Sequence, residues 1–275
     1  MVSIGTASRV INKGNVREET KRAVEDAVAK LRYVPNAVAR NLVRGYTNTF
    51  LLLMIQEDLL FPTTWAHELP IIKGIWNSAK RNSCSMEIEM RFQHEIDTPG
   101  SMTELLAQKS VDGVLILSTY AVEYHVLLEI QALGIPFVLL DCRSHNRVLN
   151  QIEVDNRGAV EQLATMLIEL GHRRFAFIGG QDGQLHGIDR RLGLEDALRK
   201  ANLSLSGNCV SYGDFSIESG YEQMLKMLKV TPRPTAIICA NDNLAAGAIK
   251  AVQTHGYQVP KDFSVVGFDA SDVAK

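Results

Sequence analysis

Glu169-Leu170-Gly171-His172-Arg173-Arg174-Phe175-Ala176-Phe177-Ile178 reads as the end of a helix, a glycine able to close it, and an apolar strand. The unit recurs. Ala132-Leu133-Gly134 precedes Phe137–Leu140, and His255-Gly256 precedes Ser264–Gly267. Further strands are predicted at Phe50–Ile55, Ser85–Met90, Gly113–Leu117, Gln151–Val154, Arg174–Ile178, Cys209–Ser211 and Thr235–Cys239. Helices are predicted at Pro70–Arg81, Met102–Lys109, Val122–Leu133, Gly158–Leu170, Arg190–Ala201, Ile217–Lys229 and Leu244–His255. Such alternation predicts an α/β fold of parallel sheets covered by helices on both faces. The polar stretch Arg143–Asn150 is expected to cross between two sheets. Two doubly wound lobes facing each other leave a cleft at the C-terminal strand ends, where ligands gather.

The chain before Thr49 follows another pattern. Ser3–Asn12 is predicted as a short helix capped by Ser3, with Ala7, Val10 and Ile11 on its apolar face. Residues 17–32 form a second helix, with Val24, Ala27, Val28 and Leu31 at helical spacing. Arg17 offers it no side-chain cap. Pro35 sets the first turn of a third helix, running to about Arg44, that is too short to be stable alone in water. Residues 1–45 carry nine basic and four acidic side chains, a net +5 on a chain whose total is −2. A basic end on an acidic body fits an arm that meets a polyanion, and equally a solvated helical face.

Composition excludes several classes. With 46% hydrophobic and 22% charged residues over 275 positions, the chain is globular and long enough for two domains. The longest apolar run, Phe50–Ile55, is far short of a membrane span, and the N-terminus lacks the order of a signal peptide. Cys84, Cys142, Cys209 and Cys239 show neither metal nor disulfide spacing, so free thiols in a reducing cytoplasm are expected. Gly179-Gly180-Gln181-Asp182-Gly183 is glycine-rich without a dinucleotide or P-loop pattern. No short-range catalytic or metal-ligand motif is visible, so neither an enzyme nor a cofactor is expected.

Val2-Ser3-Ile4-Gly5-Thr6-Ala7-Ser8-Arg9-Val10-Ile11-Asn12, followed by Tyr33-Val34-Pro35-Asn36-Ala37-Val38-Ala39-Arg40-Asn41-Leu42, resembles the lactose/galactose repressor (LacI/GalR) family. Asp155-Asn156-Arg157-Gly158-Ala159, Leu170-Gly171-His172, Arg191-Leu192-Gly193-Leu194, Ala240-Asn241-Asp242 and Ser264-Val265-Val266-Gly267-Phe268-Asp269 extend the resemblance in family order. It implies a two-lobed, periplasmic-binding-protein-like core behind a partial all-α helix-turn-helix headpiece. The implied division is a headpiece over 1–34, a hinge helix and linker over 35–47, an N-terminal lobe over 48–148 and an incomplete C-terminal lobe over 149–275. It further implies a cytoplasmic homodimer that binds a pseudo-palindromic double-stranded operator under control of a sugar or nucleoside-like effector. Family members begin with another helix before Val2 and continue past Asp272, which leads to an expectation of weak operator binding by these residues alone. Glu57–Leu69 replaces a compact family loop. A periplasmic-type sugar-binding protein is the alternative, and the basic N-terminal segment counts against it.

The resemblance places DNA reading on Ser3–Asn12. Ser3, Thr6, Ser8, Arg9 and Asn12 can donate to phosphates or bases, and Ile4 and Gly5 fall at the family's base-reading positions. An ordinary surface helix is the competing reading. Leu42 matches the leucine that wedges open a minor-groove step in the family, with Asn36 and Arg40 beside it for backbone contacts. In the cleft, Asp141 and Asp269 follow apolar strands and can accept from sugar hydroxyls, or can instead cap helices. Arg191 and Asn241 can donate, Phe215 can lie against a sugar or base, and Ser118 is a secondary candidate. Asp242 is expected to cap the helix that follows it, and His172 to fix the turn after Gly171.

Overall fold

The computed structural model describes residues 2–11, 14–33, 46–56, 67–144 and 149–275. Met1–Asn48 and Thr49–Lys275 are separate compact units.

In the first unit, α1 (Ile4–Ile11) starts where Ser3 Oγ accepts the Thr6 N–H at 3.1 Å. The Arg9 carbonyl accepts the Gly14 N–H at 2.7 Å beyond its end. Helix α2 (Glu18–Leu31) has no side-chain cap at Arg17. It closes through Arg32 in the left-handed region, where the Val28 carbonyl accepts the Tyr33 N–H at 3.0 Å. Val10 and Val24 bury the apolar faces of the two helices. The third helix expected here lies outside the described residues.

The second unit opens with β1 (Thr49–Gln56), α3 (Glu68–Arg81), β2 (Ser85–Phe92) and the single turn α4 (Gln93–Ile96). Then come α5 (Ser101–Ala107), β3 (Gly113–Ser118), α6 (Tyr124–Ala132), β4 (Phe137–Leu140) and β5 (Gln151–Ile152). These strands form one parallel sheet in the order β2-β1-β3-β4-β5. The apolar run in β1 is buried on both faces because alternate residues point oppositely. Leu51, Leu53 and Ile55 join Met102, Leu106, Val126 and Ile130 from α5 and α6. Leu52 and Met54 meet Ile71, Ile72 and Ile75 of α3.

The second sheet is β7-β6-β8-β9, again all parallel, from β6 (Phe175–Gly179), β7 (Val210–Tyr212), β8 (Ala236–Cys239) and β9 (Ser264–Val266). Its helices are α7 (Asn156–Glu169), α8 (Leu185–Lys200), α9 (Ile217–Leu228) and α10 (Asp242–Thr254). Phe177, Ile178, Ile237 and Ile238 are fully buried between them. His172 ties the N-terminal edge of this sheet together, with one ring nitrogen 2.9 Å from Thr235 Oγ1 and the other 2.9 Å from Ser264 Oγ. That places it at the turn after Gly171, as expected.

Three expectations need correction. Gln151–Ile152 pairs with Leu139–Leu140, so the strand after the polar stretch belongs to the first sheet and not to the second. Helix α8 begins at Leu185, a turn and more before Arg190, because its first turn has no side-chain cap to announce it. The cap of α10 is Asn241, whose Oδ1 accepts the Leu244 N–H at 2.9 Å. Asp242 instead accepts the Ser271 N–H at 2.6 Å.

Gly193 fixes how α8 lies on α7. A Cβ there would fall 2.2 Å from the Arg157 carbonyl oxygen, so only glycine allows this approach. Gly193→Ala is expected to lower the unfolding free energy by about 1–3 kcal/mol, read from the denaturant midpoint at unchanged slope. A variant as stable as the parent would show that the two helices have room to part.

Candidate functional site

The cleft is built where strands end. Asp141 follows β4, Asn241 follows β8, and Asp269 lies just past β9. A cavity of about 890 Å³ separates Asp141 and Ile152–Val154 on one side from Arg190, Asn241 and Phe268–Val273 on the other. A smaller one of about 100 Å³ is bordered by His67, Thr119, His186, Phe215, Asn241 and Asp269. Asp141, Phe215 and Asp269 hold φ of 55°, 66° and 100°, a region that L side chains seldom occupy.

Arg190 is the cleft arginine, and Arg191 is not. The helical face that carries Gly193 against α7 also carries Arg190 one turn earlier. Its Nε donates to Asn156 Oδ1 at 2.8 Å and its terminal nitrogens reach the Ala240 carbonyl and Asp269 Oδ1. The guanidinium lies 3.7 Å over the Phe268 ring. Arg191, about 100° further round the helix, pairs with Glu195 instead. Glycine three residues beyond an arginine was the signal in the sequence for the correct register. Ser118 is buried and its Oγ accepts the Tyr120 N–H at 3.1 Å, so it shapes the turn while Thr119 borders the smaller cavity. Asn241 spends its Nδ2 on the Phe215 carbonyl at 3.2 Å, which fixes Phe215 at the edge of that cavity.

Two histidines that the sequence did not single out meet Asp141. His67 Nε2 lies 2.8 Å from Asp141 Oδ2, and His186 Nε2 lies 3.1 Å from the Asp141 carbonyl oxygen. Burial alone would raise the Asp141 carboxyl, but the His67 hydrogen bond and charge, backed by His186 and Arg190, hold it below the ordinary range. The same hydrogen bond raises His67 against the effect of its burial. Burial, with the charge of His67, pushes His186 down to about 4 and keeps it neutral. Asp269 is raised by burial despite Arg190. Among the described residues, His67, Asp141 and His186 are a group that could hold a metal ion, with one ligand atom of each within 4.8 Å of the others.

On α1, Ile4, Gly5, Ser8 and Arg9 are exposed, Ile4 at 91%. Ser3 is exposed as well and shares its hydroxyl with Thr6 at 2.9 Å. Asn12, Asn36, Arg40 and Leu42 lie outside the described residues.

Residues 1–36 match the family described as bacterial regulatory proteins, lacI family, and residues 164–275 match a periplasmic binding protein-like domain. The HTH-type transcriptional repressor PurR of Serratia proteamaculans (strain 568) is 35% identical over 271 residues, which cover 98% of this chain and 77% of that protein. The chain belongs to the LacI family. The HTH-type transcriptional regulator CelR of Thermobifida fusca is 33% identical over 284 residues, covering all of this chain and 80% of that protein. Among solved structures, the Lac repressor dimer bound to operator and an anti-inducer is similar at TM-score 0.81 and 28% identity, over 98% of this chain and 80% of that one. A CelR–cellobiose complex is similar at TM-score 0.69 and 30% identity, over 99% and 81%. A LacI-family chain with this headpiece is a DNA-binding transcription regulator with an effector-binding core, which removes the solute-binding alternative. No described helix is long and apolar enough to cross a membrane.

The His67–Asp141 pair has a definite pH signature. A histidine raised in the folded state stabilises fully below its ordinary value near 6.5, and that stabilisation is lost as pH rises through the raised value. The stability lost on Asp141→Asn is therefore expected to be larger near about pH 6 than near about pH 9, in paired denaturant titrations. Histidine NMR should show the His67 midpoint falling in the same variant. A stability difference independent of pH would mean that the pair is not formed in solution.

Proposed function

We propose that this chain is a cytoplasmic repressor that binds a pseudo-palindromic operator as a homodimer and takes a sugar in the cleft between its lobes. The observation that carries the sugar reading is the Arg190–Asp269 pair at 3.5 Å, with Asp141 facing the same cavity. Vicinal hydroxyls both donate and accept, and two carboxylates with a guanidinium offer both partners at fixed positions. Phe268 lies under that guanidinium, and Phe215 borders the smaller cavity as an apolar surface for a ring. The CelR relative solved with cellobiose supports the same class.

On the DNA side, Ser3, Ile4, Gly5, Thr6, Ser8 and Arg9 are the proposed reading surface of α1, and Asn12 extends it. Arg9 is the side chain able to grip a guanine bidentately. Asn36 and Arg40 are assigned backbone contacts and Leu42 the minor-groove wedge. The net +5 of residues 1–45 supplies the phosphate attraction.

A thermal-shift screen of the 275-residue chain against mono- and disaccharides and nucleosides tests the cleft. A sugar that binds only the folded state at about a hundredfold excess over its Kd should stabilise by about 2.7 kcal/mol. Asp269→Asn is expected to weaken that sugar at least about tenfold, the loss of one charge-assisted hydrogen bond. A shift with nucleosides alone, or a sugar shift that Asp269→Asn leaves intact, would overturn the reading.

A further inference from the structure

We propose that His67, Asp141 and His186 form a binding site for a divalent transition metal of the zinc class. The three residues arrive from separate elements: His67 from the residue before α3, Asp141 from the end of β4, and His186 from the first turn of α8. Their positions in the chain are 74 and 45 residues apart, so the absence of a ligand motif in the sequence says nothing about them. One ligand atom from each lies within 4.8 Å of the others. Around zinc, with bonds of about 2.0–2.2 Å, such atoms sit roughly 3.3 Å apart, so the separations have to change by about 1.5 Å or less. The rings are already set edge to face with centroids 5.2 Å apart.

Two imidazole nitrogens and one carboxylate oxygen suit zinc, cobalt or nickel, and not magnesium or calcium, which prefer oxygen alone. The donor atoms fit as well. Asp141 offers its carboxylate oxygens, and His186, whose Nε2 donates to the Asp141 carbonyl oxygen at 3.1 Å, keeps its lone pair on Nδ1. His67 alone carries a proton in competition, the one it shares with Asp141 at 2.8 Å. Metal entry replaces that proton, which passes to solvent, and two metal–nitrogen bonds and one metal–oxygen bond form without oxidation or reduction.

The surrounding charges match a dication. Asp141, Asp269 and Glu68 act on His67 with negative charge. Arg190 supplies the facing positive charge, and it is turned to the Ala240 carbonyl, Asn156 and Asp269. With both histidines neutral, those three carboxylates and one guanidinium leave two negative charges. The larger cavity borders His67 and Asp141 and the smaller borders His67 and His186, so positions beyond the three protein ligands open to the cleft. A metal there would join the first lobe to α8 of the second. Its residence in the cleft rests on the effector reading only for location, since zinc needs no sugar to bind.

The test uses the full chain stripped with EDTA, dialysed, and titrated with zinc against a chromophoric chelator, then with cobalt followed by visible absorption. One zinc per chain, micromolar or tighter, is the expected result, with release of a proton near neutral pH in weakly buffered solution. Affinity should fall as the solution is acidified, because protons compete with the metal for imidazole nitrogens. His67→Gln and Asp141→Asn should each weaken zinc at least about tenfold and alter the cobalt spectrum, whereas His255→Gln leaves both unchanged. Circular-dichroism melts confirm that the variants fold, and wild-type proton release decides the matter if one does not. No stoichiometric zinc, or equal affinity in the wild type and both ligand variants, overturns the proposal. The sugar screen on the stripped chain is scored separately, so failure of either reading leaves the other identifiable.

Discussion

The second unit depends on one helix that belongs to two hydrophobic cores. Leu185, in the first turn of α8, is buried with Ile116, Val122 and Cys142 in the first lobe. Leu194, Ala197 and Leu198, further along, are buried in the second. At 1.5 Å per residue, Leu185 and Leu194 stand about 13 Å apart, so the turns between them are fixed in the interlobe space. That stretch holds His186, Asp189 and Arg190. Asp189 takes both terminal nitrogens of Arg143 at 2.7 and 2.8 Å, and the Thr119 carbonyl accepts the Leu185 N–H at 3.0 Å. The polar contents of the cleft are thus a consequence of anchoring each end of α8 in apolar surroundings.

Arg190 shows what this anchoring demands. Its guanidinium is buried, and desolvation pulls its pKa down while Asp269, Asp141 and Asp242 pull it back. A buried pair of this kind contributes little net stability beside a well-packed apolar substitute, though removal of one partner is costly. What the burial secures is a fixed guanidinium at the cavity wall, held by Asn156 and the Ala240 carbonyl on one side and the Phe268 ring on the other. Gly193 sets the rotation of the helix and so decides that residue 190, and not 191, occupies this place.

What the sequence made legible follows from the same physics. Continuous apolar runs such as Phe50–Ile55 and Phe175–Ile178 mark strands buried on two faces, and their positions agree with β1 and β6 to within a residue or so. Helix starts with a side-chain cap, as at Ser3, Asp155 and Ser216, carry a chemical mark. The start of α8 carries none, since Gln184 makes no cap bond, and Gly187 weakens the helical pattern. A two-residue strand such as β5 cannot declare which sheet it joins. The place of Asp141 and Asp269 at the cavity was readable because they follow apolar strands. His67 and His186 were not, because their partner is distant in the chain and no spacing links them.

Signalling in such a cleft is bounded by what a ligand can discriminate. Asp141, Phe215 and Asp269 sit at left-handed φ, at a cost on the order of 1–3 kcal/mol each, where the chain leaves strands of both sheets. Neighbours hold them there: the Ile152 carbonyl accepts the Asp141 N–H at 2.9 Å, and Asn241 grips the Phe215 carbonyl. A ligand that bridges Asp141 and Asp269 therefore touches two lobes whose contact atoms are already positioned. It shifts the lobes only by its difference in affinity between arrangements, and inverting a 1:99 population to 99:1 takes about 5.5 kcal/mol. Hydrogen bonds to charged groups contribute roughly 1.5–3 kcal/mol each. Two to four that form in only one arrangement reach that figure, and the contacts proposed for Asp141, Arg190 and Asp269 are of that number. Contacts to one lobe alone would tighten binding and switch nothing, which is why the charged groups of this cleft have to be divided between both.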